Sequence, residues 1–545
     1  MIDMIQIPNG VLAQVANYSE QYVSQYQDNP LIEALPPIFS KEEVIQQLTQ
    51  YPYFQAEERL ADSRYRFHMI QQLFSSYFQP LPVHIDLESR ISRLLRQGYV
   101  ARSPLSPTYA TGLVQGHGDI LKGKISSANH TSPSGLTIIG VSGMGKSSAI
   151  NRILHMMPQV ICHSQYKEQS LSQYQVVWMR LECPPDGSIR GLINNFFVEI
   201  DSLLGTNTLD KYGKNGRLSA NSLLPLVAQI ARSSNMGTLI VDEIQNLSSA
   251  KSGGKEQMLS FFVALSNTIS LPSILIGTPK ATSLFTEFRQ ARRGSGGQGD
   301  LIWEPMKKTE QSWMLFLEGM WEYQWLRQSV ALSPELNHAM YEASCGITDI
   351  ALKTFVLAQI KAITSGTEEL TPRLISGVGK DSFKLLQPML QALRSGNAAK
   401  IAQYGDISPI NIEGVVSAEQ SKLDVGNMLK GFQKAHQEQT ILVDRLKQEA
   451  VVRLTFLGIR EKEAQSLINK VLEQQPDVRE VKMVVQEAYK LHLAVTDPAT
   501  AKAEIVEDKS DLRLIVKAGK EQGIGAYQSL KSAGIIVADF QAGAG

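Results

Sequence analysis

The sequence TIIGVSGMGKSSAINRIL, which spans Thr137–Leu154, decides the fold. Its first residues are apolar or β-branched and predict a buried strand, whereas Ser147–Leu154 predicts a helix. Between them, Gly140–Ser147 fits the pattern G-x-x-x-x-G-K-[ST], a glycine-rich loop whose backbone N–H groups converge on an anion. The following helix N-terminus adds its positive end. The pattern therefore predicts a phosphate-binding loop and indicates a nucleotide-binding protein.

Two side chains of this loop have predicted roles of their own. Lys146 is expected to reach the β- and γ-phosphates of ATP, and Ser147 is expected to ligate Mg²⁺. The residues expected to hold the nucleotide are Gly140, Ser142, Gly143, Met144, Gly145, Lys146, Ser147 and Ser148.

A second stretch, TLIVDEIQNL at Thr238–Leu247, predicts a buried strand that ends in two carboxylates. Asp242 is expected to hold Mg²⁺ through water, and Glu243 is expected to take the proton of an attacking water. Alone, this is also the pattern of a buried strand before an acidic turn. About a hundred residues after a phosphate loop, it favours a catalytic role. The Glu beside the Asp favours ATP hydrolysis over kinase-type transfer.

Two further segments add candidate catalytic residues. The strand-like SILIGTPKA places the Thr278 hydroxyl at a strand end, where it polarises the water or contacts the γ-phosphate, or else only forms a turn before Pro279. In FTEFRQARRGSGGQG, one of Arg289, Arg292 and Arg293 is expected to reach the γ-phosphate of a neighbouring subunit as an arginine finger. The alternative is that these charges only complement a helix C-terminus.

Composition limits the class of protein. The chain has 545 residues, with 53 basic and 53 acidic side chains, so bulk charge indicates no particular partner. Its three cysteines have no paired spacing, which favours neither a disulfide framework nor a zinc site. No apolar run is long enough for a membrane span, and the N-terminus lacks a basic signal-peptide region. We expect a cytoplasmic protein without a membrane partner.

The pattern along the chain predicts an α/β core with a parallel sheet, since strand-like and helix-like segments alternate. The expected strands are Leu136–Val141, Gln175–Cys183, Thr238–Val241, Ser273–Thr278 and Leu301–Trp303. The prolines of DNPLIEALPPIF predict an extended strap. The expected domains are an N-terminal helical and extended arm (1–110), the nucleotide-binding core (111–307), a helical lid (308–396), a helical extension (397–495) and a linker with a docking tail (496–545).

The order of these parts resembles that of the AAA+ P-loop NTPases. More specifically, the chain resembles the TnsC family, the regulators of TnsABCD-type transposons, including CRISPR-associated ones. The segments that carry the resemblance are DNPLIEALPPIF, YFQPL, RQGYVARSP, VDEIQNLSSAKSGG, LIGTPKA, FRQARRG and GITDIALKTFVLAQIKA. They span most of residues 25–400. One departure is the lid, which has CGITDIALK in place of a Gly-x-Pro-Arg sensor. Either Lys353 contacts ATP from there, or the segment is a plain lid helix.

The resemblance implies an ATP- and Mg²⁺-dependent ATPase that forms rings or helical filaments on double-stranded DNA. It implies a TnsD/TniQ-type target selector, sometimes with a CRISPR effector, and a TnsA/TnsB transposase as partners. The tail after residue 495 would dock the transposase, whereas residues 430–495 are either part of that arm or a helical subdomain. A helicase loader or initiator ATPase and a DNA-independent signalling NTPase are the alternatives.

DNA contacts are expected from basic residues in loops. Initiator-type AAA+ proteins insert a hairpin between the first helix and the second strand, where this chain has CHSQYKEQSLSQYQVVW. The candidates, each also readable as an ordinary surface residue, are His163, Lys167, Lys211, Lys214, Lys251 and Lys255.

Overall fold

A computed structural model describes residues 3–100, 102–106, 111, 135–214, 218–249, 262, 271–291, 298–396, 444–474, 480–496 and 512–533. The chain divides into two compact units, Met1–Asp424 and Val425–Gly545.

A five-stranded parallel sheet forms around the segment quoted first. Its strands, in spatial order, are β6 (Trp178–Glu182), β7 (Thr238–Asp242), β8 (Ser273–Gly277), β3 (Gly135–Gly140) and β9 (Gly299–Trp303). β7 and β8 are buried along their whole length, which is why they read as unbroken apolar runs. The predicted parallel core is confirmed. The carboxyl ends of neighbouring strands meet at one edge, which brings distant residues together.

One predicted strand is in fact two. Gln175–Cys183 is divided between β5 (Gln169–Val176) and β6, and the backbone N–H of Val177 bonds instead to the Gln159 carbonyl. β5 pairs antiparallel with β4 (Val160–Tyr166), so a hairpin stands between the first core helix and the second core strand. β1 (Met4–Gln6) and β2 (Leu12–Val15) extend it into a four-stranded sheet. The sequence reasoning missed these two strands.

The strap predicted from DNPLIEALPPIF is wrong over its first half. Pro30–Glu33 forms a short helix, α1, because Asn29 caps it by accepting from the Leu31 N–H at 3.1 Å. Proline fits the first helical turn, where its fixed φ is already helical. Leu31 and Ile32 are fully buried. The remaining N-terminal helices are α2 (Lys41–Leu48), α3 (Ser63–Ser76) and α4 (Pro82–Val100).

Helices cover the sheet and continue beyond it. The core helices are α5 (Lys146–His155), α6 (Ile189–Leu204), α7 (Ala220–Ser233) and α8 (Thr282–Ala291). The lid helices are α9 (Gln311–Trp321), α10 (Pro334–Ser344), α11 (Thr348–Ser365), α12 (Pro372–Asp381) and α13 (Gln387–Arg394). In the second unit the helices are α14 (444–456), α15 (Glu461–Gln474), α16 (Val481–Thr496), α17 (Leu512–Glu521) and α18 (Ala526–Ser532). α14–α16 enclose a small apolar core of their own.

An ion pair joins α3 to the lid. Arg66, only 2% exposed, donates to both carboxylate oxygens of Glu368 at 2.7 and 2.8 Å and to the Trp325 carbonyl at 3.1 Å. Burial acts to raise the pKa of Glu368, but the hydrogen bonds from Arg66 and the Arg327 N–H hold it below its ordinary value. The N-terminal region is therefore fixed to the lid by a bidentate charged contact.

Arg66→Met is expected to destabilise this unit, because it leaves the Glu368 carboxylate partly buried without its main partner. The expected loss is about 3 kcal/mol in the free energy of unfolding, measured by urea unfolding followed through tryptophan fluorescence. Arg64→Met on the same helix is the control, since its pair with Asp62 is exposed and such pairs contribute less than about 1 kcal/mol. Equal losses in the two variants would contradict the assignment.

Candidate nucleotide site

The phosphate loop joins β3 to α5 with the geometry expected of an anion cradle. Gly143 and Gly145 have φ of 81° and 83°, the left-handed region that favours glycine. At Gly140, a Cβ would lie 2.6 Å from the Trp303 carbonyl oxygen. Gly145 is the N-cap of α5, and it supplies no side-chain hydrogen bond to the first turn. The N–H groups of that turn are thus directed to an anion, at the positive end of the helix.

Lys146 is buried beside this loop. Its ammonium donates to the carbonyl oxygens of Gly140 at 2.7 Å and Val141 at 3.0 Å. Both of these acceptors are main-chain oxygens of the loop, so the ammonium lies next to the predicted phosphate position.

Ser147 and Asp242 meet at the carboxyl edge of the sheet, as their predicted role requires. The Ser147 hydroxyl donates to Asp242 Oδ2 at 2.6 Å. Arg180 of β6 donates to the same oxygen at 2.7 Å, and the Glu243 N–H donates to Oδ1 at 2.8 Å. Both oxygens of Asp242 are therefore oriented by protein donors.

Glu243 follows β7 in a left-handed conformation, with φ of 56°, which is uncommon for a non-glycine residue. Its carboxylate accepts from the Gln245 side-chain amide. The other end of that amide accepts from the Thr278 N–H at 3.1 Å. Gln245 thus links the end of β7 to the end of β8.

The Thr278 hydroxyl is a buried polar atom that lacks a hydrogen-bond partner among the described residues. An unmade hydrogen bond at a buried hydroxyl is costly, which favours a role in contacting a ligand or water. A simple turn before Pro279 would not need a buried hydroxyl at this position.

A cavity of about 330 Å³ runs from the phosphate loop towards the N-terminal region and the lid. Three parts of the chain form its walls: the loop with Glu243, the junction of α3 and α4, and the lid helices α9 and α11. The lining residues are Ser142–Ser148, Arg152, Glu243, Phe74, Tyr77, Phe78, Gln79, Leu81, His84, Phe316, Thr348, Asp349 and Leu352.

Aromatic rings form much of the cavity wall contributed by the α3–α4 junction and α9. The Arg152 guanidinium lies 4.4 Å from the centre of the Phe78 ring, and the His84 ring centre lies 4.9 Å from it. Burial, and to a smaller extent Arg152, lower the pKa of His84 to about 4. Its Nδ1 accepts from the Leu81 N–H at 3.0 Å. Near neutral pH this wall of the cavity therefore contains an uncharged imidazole beside an aromatic ring.

The lid contacts the phosphate loop through the start of α11. The Thr348 hydroxyl and the Asp349 N–H both donate to the Gly143 carbonyl, at 2.9 and 3.0 Å. Lys353 forms an ion pair with Asp349 at 2.6 Å. The contact seen between lid and loop is thus a pair of hydrogen bonds from Thr348 and Asp349, while Lys353 binds within its own helix.

The candidate arginines remain predictions. The backbone of Arg289 belongs to α8, but its side chain lies outside the described residues. Arg292 and Arg293, like the DNA candidates Lys251 and Lys255, lie outside them altogether.

His163 is corrected as a DNA candidate. It is 1% exposed, with Nδ1 bonded to the Tyr18 hydroxyl and Nε2 to Gln175, both at 2.8 Å. Burial lowers its pKa. Because the N-terminal region covers this face of the hairpin, His163 has a structural role there.

The lysine candidates of the described residues are exposed. Lys167 lies in the turn of the hairpin and forms an ion pair with Asp28, and Lys214 forms one with Asp210. Lys211 lies in the short helical turn Leu209–Gly213. Exposed ion pairs of this kind are weak and exchange readily with other anions.

The sequence reasoning missed three groups of site residues: the α3–α4 junction around Phe78, Arg180, and the start of α11. YFQPL carried only a resemblance, and in GITDIALK the candidate was Lys353, whereas Thr348 and Asp349 make the contact to the loop. For Arg180 there was a usable signal, namely an arginine within an otherwise apolar strand segment, VVWMRLE.

The fold and the site define a class: this chain has the AAA+ P-loop NTPase fold, as predicted. Residues 130–285 match a family model described as an AAA domain. The finer resemblance to TnsC is not part of that match. No curated protein matches the chain in sequence.

Three solved structures illustrate the remote likenesses. A Walker-type ATPase of Pyrococcus abyssi, PABY2304, is 16% identical with a TM-score of 0.31, over 57% of this chain and 88% of that one. The ORC2 protein of Aeropyrum pernix, in ADPNP–ADP complexes, is 13% identical with a TM-score of 0.32, over 61% and 89%. Drosophila ORC bound to DNA is 12% identical with a TM-score of 0.30, over 67% and 91%.

Within the described ranges, every helix is too short or too polar to cross a membrane.

Proposed function

We propose that this chain is an ATPase that assembles on double-stranded DNA and regulates transposition. The observation that carries the ATPase proposal is the convergence of Lys146, Ser147, Asp242 and Glu243 at one edge of the sheet. These residues come from two strand ends separated by about a hundred residues of sequence, and they meet with the chemistry that a nucleoside triphosphate needs.

The residues present fit ATP and Mg²⁺. The α5 N-terminus, uncapped by any described side chain, and the glycine cradle suit the phosphates, with Lys146 as their countercharge. Ser147 and Asp242 provide the oxygen donors that Mg²⁺ prefers. When bound, Mg²⁺ neutralises charge on the β- and γ-phosphates. The aromatic wall of the cavity, contributed by the α3–α4 junction and α9, receives the base.

Glu243 is the proposed general base for the attacking water. Its carboxylate is positioned by Gln245, which also contacts the backbone of Thr278. The Thr278 hydroxyl, which has no hydrogen-bond partner in the described part of the chain, contacts the water or the γ-phosphate. These three residues place a base and a polar donor at adjacent strand ends of the sheet.

A second copy of the chain completes the site. One of Arg289, Arg292 and Arg293 acts as the arginine finger for the neighbour, so that ATP hydrolysis depends on assembly. Hydrolysis by Glu243 then disassembles the polymer.

The transposition proposal rests on the resemblance of several segments of this chain to TnsC. Three of them, YFQPL, VDEIQ and GITDIALK, contribute residues to the wall of the same cavity. The chain then takes its signal from a TnsD/TniQ-type selector, with or without a CRISPR effector, and recruits a TnsA/TnsB transposase through residues 496–545.

Electron microscopy tests the proposal directly. The full chain with duplex DNA is expected to form rings or helical filaments with a nonhydrolysable ATP analogue and to lose them with ADP. A pull-down against TnsA/TnsB and against a DnaB-type helicase then separates a transposition regulator from a helicase loader. ATPase activity that is indifferent to duplex DNA, without assembly, would instead identify a signalling NTPase.

The exposed lysines give a separate test of DNA binding. The triple variant Lys167→Gln, Lys211→Gln, Lys214→Gln is expected to bind all duplex sequences more weakly, because interactions with the DNA backbone carry no sequence information. For every phosphate that the variant no longer neutralises, the slope of log affinity against log salt becomes shallower by about 0.9. Fluorescence anisotropy at several salt concentrations measures both the affinity and the slope.

Lys361→Gln is the matched control, since this lid lysine is also exposed and forms an ion pair with Asp381. It should leave affinity and slope unchanged. If the triple variant behaves like this control, the DNA surface lies elsewhere, and the Lys251 and Lys255 loop becomes the next to test.

A further inference from the structure

Arg180 is a charged residue of the site that the ATPase roles above do not use. It lies in β6, whose register pairs Arg180 with Ile240 of β7, two residues before Asp242. Its guanidinium donates to Asp242 Oδ2 at 2.7 Å and to the Asn151 side chain of α5 at 2.9 Å. Asp242 is 4% exposed and Arg180 31% exposed at the side chain.

The ion pair places a positive charge on a carboxylate that faces the proposed cation position. Asp242 Oδ2 accepts from the Ser147 hydroxyl as well as from Arg180. Arg180 therefore contacts the same carboxylate oxygen as Ser147, the other proposed Mg²⁺ ligand. A carboxylate this deeply buried needs a partner to remain charged. Among its described contacts, Arg180 is the one with a full positive charge.

Asn151 keeps the guanidinium in place independently of Asp242. It lies one turn beyond Ser147 on α5, the helix that follows the phosphate loop. The arginine therefore contacts both α5, through Asn151, and the end of β7, through Asp242. Neither contact depends on the Ser147 hydroxyl, so Arg180 is expected to stay next to Asp242 when that hydroxyl binds another partner.

We propose that Arg180 is a positioning residue that supplies the countercharge of Asp242, and so determines how strongly ATP binding depends on Mg²⁺. This inference rests on the proposed nucleotide site. An uncompensated Asp242 carboxylate would repel the phosphates of ATP unless a cation lay between them. With Arg180 present, that repulsion is offset by the protein itself, and the same positive charge lowers the attraction of the site for a cation.

The experiment measures ATP affinity by fluorescence titration or calorimetry, in EDTA and in saturating Mg²⁺, for the full chain. Arg180→Gln is expected to weaken binding in EDTA by about tenfold, because one full countercharge is removed near the phosphates. In Mg²⁺ the same variant is expected to change by less than about threefold. The ratio of ATP affinity in Mg²⁺ to ATP affinity in EDTA therefore rises. A general loss of packing would lower both affinities and leave this ratio unchanged.

Two further variants make the result specific. Arg180→Lys keeps the charge and should keep the wild-type ratio. Arg190→Gln is the matched control, because it removes an arginine of the same α/β core whose guanidinium donates to the carbonyl oxygens of Leu218 and Gly213. It should leave the ratio unchanged.

An unchanged ratio in Arg180→Gln, or equal losses with and without Mg²⁺, would overturn the inference. If the wild-type chain binds ATP neither in EDTA nor in Mg²⁺, the proposed function is overturned instead. Thermal melting of each variant identifies a folding defect, and the ratio can be measured on the folded fraction because both titrations use the same protein.

Discussion

Lys146→Ala is expected to lower ATP affinity by roughly 100-fold, since a charge-assisted contact to phosphate contributes about 1.5–3 kcal/mol and more in a buried site. The ammonium donates to two carbonyl oxygens of the loop, so alanine removes the positive charge that we propose as the countercharge of the phosphates. Assembly on DNA should disappear with it, because the polymer depends on bound nucleotide. Fluorescence titration with a labelled ATP and electron microscopy measure the two effects.

Lys353→Ala is the control for that experiment. This lysine lies on the lid helix whose first residues contact the phosphate loop, but its own partner is Asp349. Its removal should change ATP affinity by less than about threefold, the effect of a weak intrahelical pair. A large loss of affinity at Lys353 with a small one at Lys146 would reverse the assignment and make Lys353 the lid contact to ATP.

The parts of the site that the sequence predicts are those encoded locally. In the phosphate loop, glycines with positive φ, a lysine and a hydroxyl are neighbours in sequence, so a short pattern contains the whole geometry. Asp242 is also encoded locally, because the run Leu239–Val241 before it is apolar and predicts a buried strand, whose end lies at the edge of the sheet.

The parts that sequence reasoning missed depend on tertiary packing. Phe78 reaches the cavity only because α3 is fixed to the lid while the next helix, α4, packs against the core. His163 looks like an exposed hairpin residue until the N-terminal segment covers it and supplies Tyr18. Neither packing arrangement leaves a periodic signal in the sequence.

The extended strap predicted around Pro30 was wrong for a local reason. Prolines indicate extended structure in isolation, but the same ring is favoured at the first position of a helix. The Asn29 cap and the two apolar residues that follow decide between the two outcomes. The capping residue was visible in the sequence, so this feature was predictable in principle.

Glu243→Gln is expected to retain ATP binding while turnover falls by about 10²- to 10³-fold, the range typical of general-base removal. Glutamine has the same shape and its amide oxygen still accepts from Gln245, so the left-handed turn at this position is preserved. The variant can no longer take a proton from water. Phosphate release measures turnover, and labelled ATP measures binding.

Assembly should respond in the opposite direction from turnover. If hydrolysis disassembles the polymer, Glu243→Gln should form filaments on DNA with ATP that persist as they do with a nonhydrolysable analogue. Glu182→Gln is the matched control, because Glu182 pairs directly with Asp242 in the neighbouring strand and ends at the same edge of the sheet. Its filaments should dissociate at the wild-type rate. Equally fast dissociation of the Glu243→Gln filaments would separate disassembly from hydrolysis, and the arginine finger would then have no role in ending the assembly.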